Sequence, residues 1–171
     1  MKKFIHIFTF LLISHLSFAQ TARVQVIHNS ADMAASVVDI YLDTLLLIDD
    51  FEFRTASGFI DAPAGVPILL GVAPSNSTGQ TDTIVSFGVT LMANETYVVV
   101  ADGIVSTSGY APSPAFNLEI YATGREMAST AGNTDVLVHH GSTDAPTVDV
   151  VEVGVGAGTI VDDLSYAAFD G

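Results

Sequence analysis

A nine-residue segment occurs twice in this chain. Val24-Gln25-Val26-Ile27-His28-Asn29-Ser30-Ala31-Asp32 reappears as Val136-Leu137-Val138-His139-His140-Gly141-Ser142-Thr143-Asp144, an offset of 112. Further on, Val38-Asp39-Ile40 is matched by Val148-Asp149-Val150, and Asp49-Asp50-Phe51-Glu52-Phe53 by Asp162-Asp163-Leu164-Ser165-Tyr166. Gly58 then falls on Gly171, the last residue. Self-similarity at this distance makes each copy a unit of about 100 residues, the size of an ordinary domain. The second copy has run through only about a third of the first when the sequence stops, and three strands cannot close a sandwich. The sequence therefore predicts a complete domain over 20–123, a linker over 124–133 and the N-terminal third of a truncated second copy over 134–171. It also predicts that the chain is a fragment of a longer protein.

The internal period is that of strands. Val24, Val26 and His28 alternate with Arg23, Gln25 and Ile27, and Val38, Ile40 and Leu42 alternate with Val37, Asp39 and Tyr41. Further strands are expected over 45–48, 51–55, 58–62, 66–73, 81–90, 96–101 and 116–121, with 135–140, 147–153 and 159–166 in the second copy. Pro63-Ala64-Gly65, the run from Pro74 to Gly79, Ala93-Asn94-Glu95 and Asp102-Gly103 punctuate them as turns. No segment carries a sustained helical stripe. Many short strands over about 100 residues indicate an all-β sandwich or barrel. Leu91-Met92-Ala93-Asn94-Glu95-Thr96-Tyr97, opening a Val-rich strand, narrows this to an immunoglobulin-like Greek-key β-sandwich, in which Tyr97 returns its hydroxyl to the backbone a few residues upstream.

Arg23 to Asp32, Val38-Asp39-Ile40-Tyr41-Leu42, Asp61-Ala62-Pro63-Ala64-Gly65 and Tyr97 to Gly103 together resemble the bacterial domain-of-unknown-function family 4397. The run His140-Gly141-Ser142-Thr143-Asp144-Ala145-Pro146 with Val148-Asp149-Val150 resembles the start of a second member. The first copy departs from the pattern at Met33-Ala34. The resemblance implies tandem immunoglobulin-like modules on secreted or cell-surface proteins, with no established enzymatic activity. Some similar proteins end in a sorting domain for the type nine export route of Gram-negative bacteria, and no such domain is visible in this sequence.

Export is also written into the N-terminus. Lys2 and Lys3 precede an apolar stretch from Phe4 to Leu16, followed by Ser17-Phe18-Ala19-Gln20, the profile of a secretory signal peptide cut after Ala19. The chain has no cysteine, which excludes a lipoprotein anchor, disulfides and thiolate chemistry. Cleavage removes both lysines and leaves three arginines against nineteen carboxylates, a balance of −16. Nucleic acid and anionic lipid are poor partners for such a surface, and an amine nucleophile is absent. The expected location is outside the cell or on the outer surface of a Gram-negative bacterium, without membrane insertion after cleavage.

The candidate site residues follow from the repeat. His28, Ser30 and Asp32, with their counterparts His140, Ser142 and Asp144, contain the residue types of a hydrolase triad, but residues two apart on an extended strand point the same way and do not converge. No Gly-x-Ser-x-Gly elbow is present. These residues, with Tyr97, are expected to be structural: His28 turned inward onto a loop carbonyl, Ser30 and Asp32 capping the amides of the turn. No catalytic residue, cofactor or metal is expected. The alternative is a calcium- or glycan-binding module, in which Asp32, Asp49, Asp50 and Asp102 would be the oxygen donors, although no calcium-loop spacing joins them. Asp49-Asp50 is read first as a turn closure or an edge guard. Tyr110 is read either as the aromatic most open to a partner, an unknown extracellular protein or glycan, or as a loop tyrosine packed back on the sandwich, and the Val-rich strands of the second copy are open to self-association through their edges.

Overall fold

The computed structural model describes residues 20–171, so the export leader expected over 1–19 lies outside the described residues. The protein is all-β. Its strands are β1 (Thr21–His28), β2 (Val37–Leu42), β3 (Leu45–Glu52), β4 (Ile60–Pro63), β5 (Pro67–Pro74), β6 (Val85–Thr90), β7 (Thr96–Asp102) and β8 (Asn117–Tyr121). After a strand-free stretch come β9 (Val138–His139), β10 (Val148–Glu152), β11 (Gly158–Leu164) and β12 (Phe169–Asp170). Helical structure among the described residues is limited to single 3-10 turns at Met33–Ala35 and Gln80–Asp82. No helix among them is long and apolar enough to cross a membrane.

Two four-stranded sheets, ordered β4-β1-β7-β8 and β3-β2-β5-β6, pack face to face as a β-sandwich. Strict alternation along β1 buries Ala22, Val24, Val26 and His28 and leaves Arg23, Gln25 and Ile27 partly exposed. From the other sheet Val38, Ile40, Phe51, Ile68 and Val72 meet them, with Val99 and Tyr97 completing the core. β1 runs parallel to β7, pairing His28 with Ala101, so the loops after β1 and β7 leave the same end of the sandwich. That parallel pairing positions the candidate site.

Several strand boundaries differ from the expectation: β4 begins at Ile60 and takes in Pro63, the strand expected over 135–140 is reduced to Val138–His139, and β12 was not foreseen. Two differences have a clear local cause. Residues 45–48 and 51–55 were expected as separate strands, but β3 is continuous, because Asp49 and Asp50 form a bulge opposite the single residue Asp39: Val38 pairs with Phe51 and Ile40 with Ile48. Asp50 takes the left-handed conformation (φ 50°) and its N–H donates to Asp39 Oδ1 at 3.1 Å. The pair therefore does not close a turn; it lies on a strand at the edge of its sheet. In the other case, the expected strand over 81–90 begins only at Val85. The Asp82 carboxylate accepts the Thr78 N–H (2.7 Å) and hydroxyl (2.9 Å), and this local bonding folds Gln80–Asp82 into a turn.

The C-terminal part forms two small antiparallel pairs, β10–β11 and β9–β12. The segment leading to it is tied back to β1 by the ion pair of Glu126 with Arg23 at 2.8 Å and held to itself by that of Asp135 with Arg125 at 2.9 Å. Exposed pairs of this kind fix a path more than they stabilise it.

Candidate functional site

The residues that leave β1 are His28, Asn29, Ser30, Ala31 and Asp32; those that leave β7 beside them are Asp102 to Ser106. His28 is buried between the rings of Phe51 (5.9 Å between centroids) and Phe53 (6.1 Å). Its Nε2 donates to the Ala35 carbonyl at 2.6 Å, which fixes the Nε2–H tautomer, and its Nδ1 has no partner. Burial lowers the pKa of the ring below the usual histidine value, against a smaller opposing effect of the Ala35 hydrogen bond. Ser30 is fully buried and donates to the Gly103 carbonyl at 2.6 Å, so it ties down the loop after β7 and does not cap the amides of its own turn as expected. Only glycine serves at 103: φ is +83°, and a Cβ there would sit 2.4 Å from the Ala115 carbonyl oxygen.

Asp32 is the hub of this end of the sandwich. Only 1% of it is exposed. Oδ1 accepts from the Ala34 N–H (2.9 Å), the Ser106 hydroxyl (2.8 Å) and the Tyr110 hydroxyl (3.2 Å), while Oδ2 accepts from the N–H groups of Val105 (2.8 Å) and Ser106 (2.6 Å). Burial alone would raise its pKa, but the donors, led by the Ser106 and Ala34 amides, outweigh it and bring the carboxyl down to about 2. Tyr110 also accepts the Met33 N–H at 2.8 Å. Its hydroxyl is therefore turned back onto the sandwich, and the ring is half-buried.

The functional atoms of His28, Ser30 and Asp32 thus touch loops and not one another. At the second occurrence, His140 is buried with Nε2 donating to the Pro146 carbonyl at 2.9 Å, whereas Ser142 and Asp144 are exposed and bonded to each other at 3.0 Å. Tyr97 is buried at the start of β7, and its hydroxyl accepts the Met92 N–H at 3.0 Å.

Asp49 and Asp50 come together with Asp39, their carboxylate oxygens within 4.8 Å of one another, and Asp149, Asp162 and Asp163 form the same group in the C-terminal part. Burial and the charges of Asp50 and Asp39 raise the Asp49 pKa; the charges of Asp149 and Asp163 raise that of Asp162. Asp32 and Asp102 are in neither group, so the four donors considered together from sequence are not one site. Asp39 was passed over, yet an acid inside a Val-Ile run, repeated as Asp149, is a readable signal. It is buried, holding the Asp50 amide and the Ser77 hydroxyl.

Asp102 is not a loop donor either. It ends β7 with 1% of its surface exposed, accepts the Gly103 N–H at 2.8 Å and meets Nε2 of His139 at 3.1 Å. Asn29 donates to the Gly141 carbonyl at 3.1 Å, and a Cβ on Gly141 would fall 1.9 Å from the Asn29 amide nitrogen. Tyr166 lies against the same joint, its phenol raised to about 12 by burial and then by the negative charges of Asp102 and Glu119. A cleft of about 590 Å³ opens beside it, with Ile27, Phe53 and Val100 on one wall and Val138, Val148 and Leu164 on the other.

Fold and site together define a β-sandwich module whose polar cluster bonds its own backbone. Residues 22–151 match the family described as Domain of unknown function (DUF4397), and the chain belongs to that family. The match covers the sandwich and continues through the strand-free stretch into β10. No curated protein and no solved structure matches the chain.

Proposed function

We propose that the protein is an exported, non-catalytic β-sandwich module with a structural, adhesive or partner-binding role outside the cell. The observation that carries this reading is the use made of His28, Ser30 and Asp32: the His28 Nε2, the Ser30 hydroxyl and both Asp32 carboxylate oxygens are bonded to loop backbone or loop hydroxyl groups, and the remaining His28 nitrogen is buried with neither Ser30 nor Asp32 in reach of it. A hydrolase needs the same atoms free and convergent. The signal-peptide profile of residues 1–20 and the −16 balance support export. N-terminal sequencing of secreted protein should find Gln20; an uncut chain retained inside the cell removes the extracellular part of the proposal. A hydrolytic activity lost in Ser30→Ala with the fold intact overturns the rest.

The sheet order, with β1 parallel to β7, supports an immunoglobulin-like Greek key, and residues 134–171 are read as the opening strands of a second domain of the same kind. Residues 20–123 expressed alone should then melt cooperatively. Loss of folding in that chain, with 20–171 cooperative, would make the C-terminal strands an integral part of the sandwich.

The two acidic groups favour one rival reading, calcium binding. Melting in millimolar calcium and again with chelator decides it, since an ion bound only by the folded state raises the midpoint. An unchanged midpoint leaves the structural reading standing. A rise that is lost in Asp39→Asn would replace it.

A further inference from the structure

β7 is buried on both faces. Tyr97 and Val99 belong to the sandwich core, whereas Val98 and Val100, which alternate with them on the outer face of the sheet, are only 7% and 2% exposed. The cover comes from the C-terminal part. Val98 lines a cleft of about 210 Å³ together with Gln25, Val136 and Leu137, and Val100 lines the 590 Å³ cleft together with Ile27, Val138 and His139. The residues brought together are counterparts in the repeat. Gln25 shares its cleft with Leu137, Ile27 with His139 and Asn29 with Gly141, each 112 residues further on. Asn29 and Gly141 touch directly, through the bond from the Asn29 amide to the Gly141 carbonyl at 3.1 Å. The strands match too, since Ile27 bridges Ala56 as His139 pairs with Phe169.

From this we infer that the outer face of the β4-β1-β7-β8 sheet is a module-on-module interface, whose occupant is the second copy of the domain in the same chain, seated about a two-fold axis that runs alongside β1. The inference rests on reading 134–171 as that second copy. When the same face of two like modules is turned inward, counterpart beside counterpart, a two-fold axis relates them; a translation would set that face against a different one. On such an axis two counterparts compete for one space, so one of them must be small. Gly141 meets that demand: its φ is not left-handed, so the backbone does not require glycine, but a Cβ there would collide with the Asn29 amide nitrogen. The polar contact at the joint is equally specific. Asp102, 1% exposed, meets Nε2 of His139, which stands where the first copy has Ile27. A buried carboxylate is costly without such a partner, and the second copy brings it.

The test uses the chain from residue 20 to 171 and exploits its lack of cysteine. Val100→Cys places one thiol under the joint, and it should react with a maleimide about a hundredfold more slowly than in the urea-unfolded chain. Adding Gly141→Asn should speed the reaction by about tenfold or more, while amide exchange over Val24 to Ile27 stays slow and shows the sandwich intact. Exchanging the two residues, Asn29→Gly with Gly141→Asn, should recover at least half of that difference on a logarithmic scale, because the collision across the axis is gone. The Asp102 carboxylate oxygen, 2.7 Å from the new Cβ, is the end of a side chain and turns aside by a few tenths of an ångström. If Val100→Cys itself disturbs the sandwich, Val98→Cys takes its place as reporter. A thiol that reacts as fast as in urea, or an exchanged pair as open as Gly141→Asn alone, overturns the inference. Protection that fades on dilution also overturns it, since a second chain would then supply the cover. The amide of Asp163, which donates to Asp149 at 2.9 Å as that of Asp50 does to Asp39, separates the two readings. With that amide protected and the thiol exposed, the interface alone falls; with it unprotected, β10 and β11 do not pair and the second copy falls as well.

Discussion

The first corner of the sandwich and the C-terminal part share their local bonds and differ in what surrounds them. The His28 carbonyl accepts the Arg54 N–H at 2.8 Å, and the His140 carbonyl accepts the Ala167 N–H at 2.8 Å. His28 N–H reaches the Thr55 carbonyl at 3.0 Å, and His140 N–H the Ala168 carbonyl at 3.1 Å. Arg54 and Ala167 share a φ of 65°. Yet Asp32 has 1% of its surface exposed, holding a loop more than seventy residues away, while Asp144 lies in the open with only Ser142 for company. The backbone bonds of the corner are thus reproduced where the residues recur, but the bonds of the carboxylate are not, because Pro146 has no N–H to match that of Ala34 and burial depends on strands contributed from elsewhere in the chain.

The sharpest way to break this comparison is to substitute equivalent positions. Asp32→Ala removes a buried charged acceptor and strands the Val105 and Ser106 amides, so it should cost about 3 kcal/mol or more in chemical denaturation. Asp144→Ala should cost less than about 0.5 kcal/mol, as exposed substitutions do. Equal losses would mean that the two turns are equally packed. Ile40→Ala, in the core, should cost about 2–4 kcal/mol, and Val150→Ala, half-buried in β10, less than about 1 kcal/mol. Hydrogen exchange extends the contrast without mutation. Val24 to Ile27 should open only with global unfolding and Val148 to Glu152 by cheaper local events, so matching protection would show the C-terminal strands to be as firmly held as β1.

The smallest effect is in pH. His28 has a lowered folded pKa, so the unfolded chain takes up its proton first, and the stability linked to it is full above about 6.5 and declines as pH falls below that value. Asp32, also lowered, contributes stability that is full above 3.8 and is lost as pH falls toward about 2. Denaturation midpoints followed down in pH should therefore fall in two separate ranges, and His28→Gln should flatten the upper one while leaving the lower. A single fall confined to pH below 4 would remove histidine from the account.

Alternation along β1, the turn after Pro74 and the all-β class were legible in the residues, because a strand's side-chain period is local and survives without knowledge of its neighbours; β2 is instead buried on both faces from Val38 to Leu42. The family was legible too, through motifs each confined to about ten residues. The bulge was not, since two adjacent acids read as a turn until the opposing strand supplies Asp39 to receive the Asp50 amide. Nor was the hub. Sequence placed Asp32 at the cap of its own turn, which it is, through the Ala34 amide, but its hold on Val105, Ser106 and Tyr110 exists only because β1 and β7 run parallel and release their loops at one end. Asp102 read as a loop donor for the same reason: its burial against His139 depends on a segment 37 residues further along the chain. The sequence by itself determined most of the strands, the inward face of β1 and the cap that Asp32 places on its own turn, all set by interactions within a few residues. Which carboxylates meet and which turn is buried were decided only by the tertiary structure, because each depends on backbone groups brought together from distant parts of the chain.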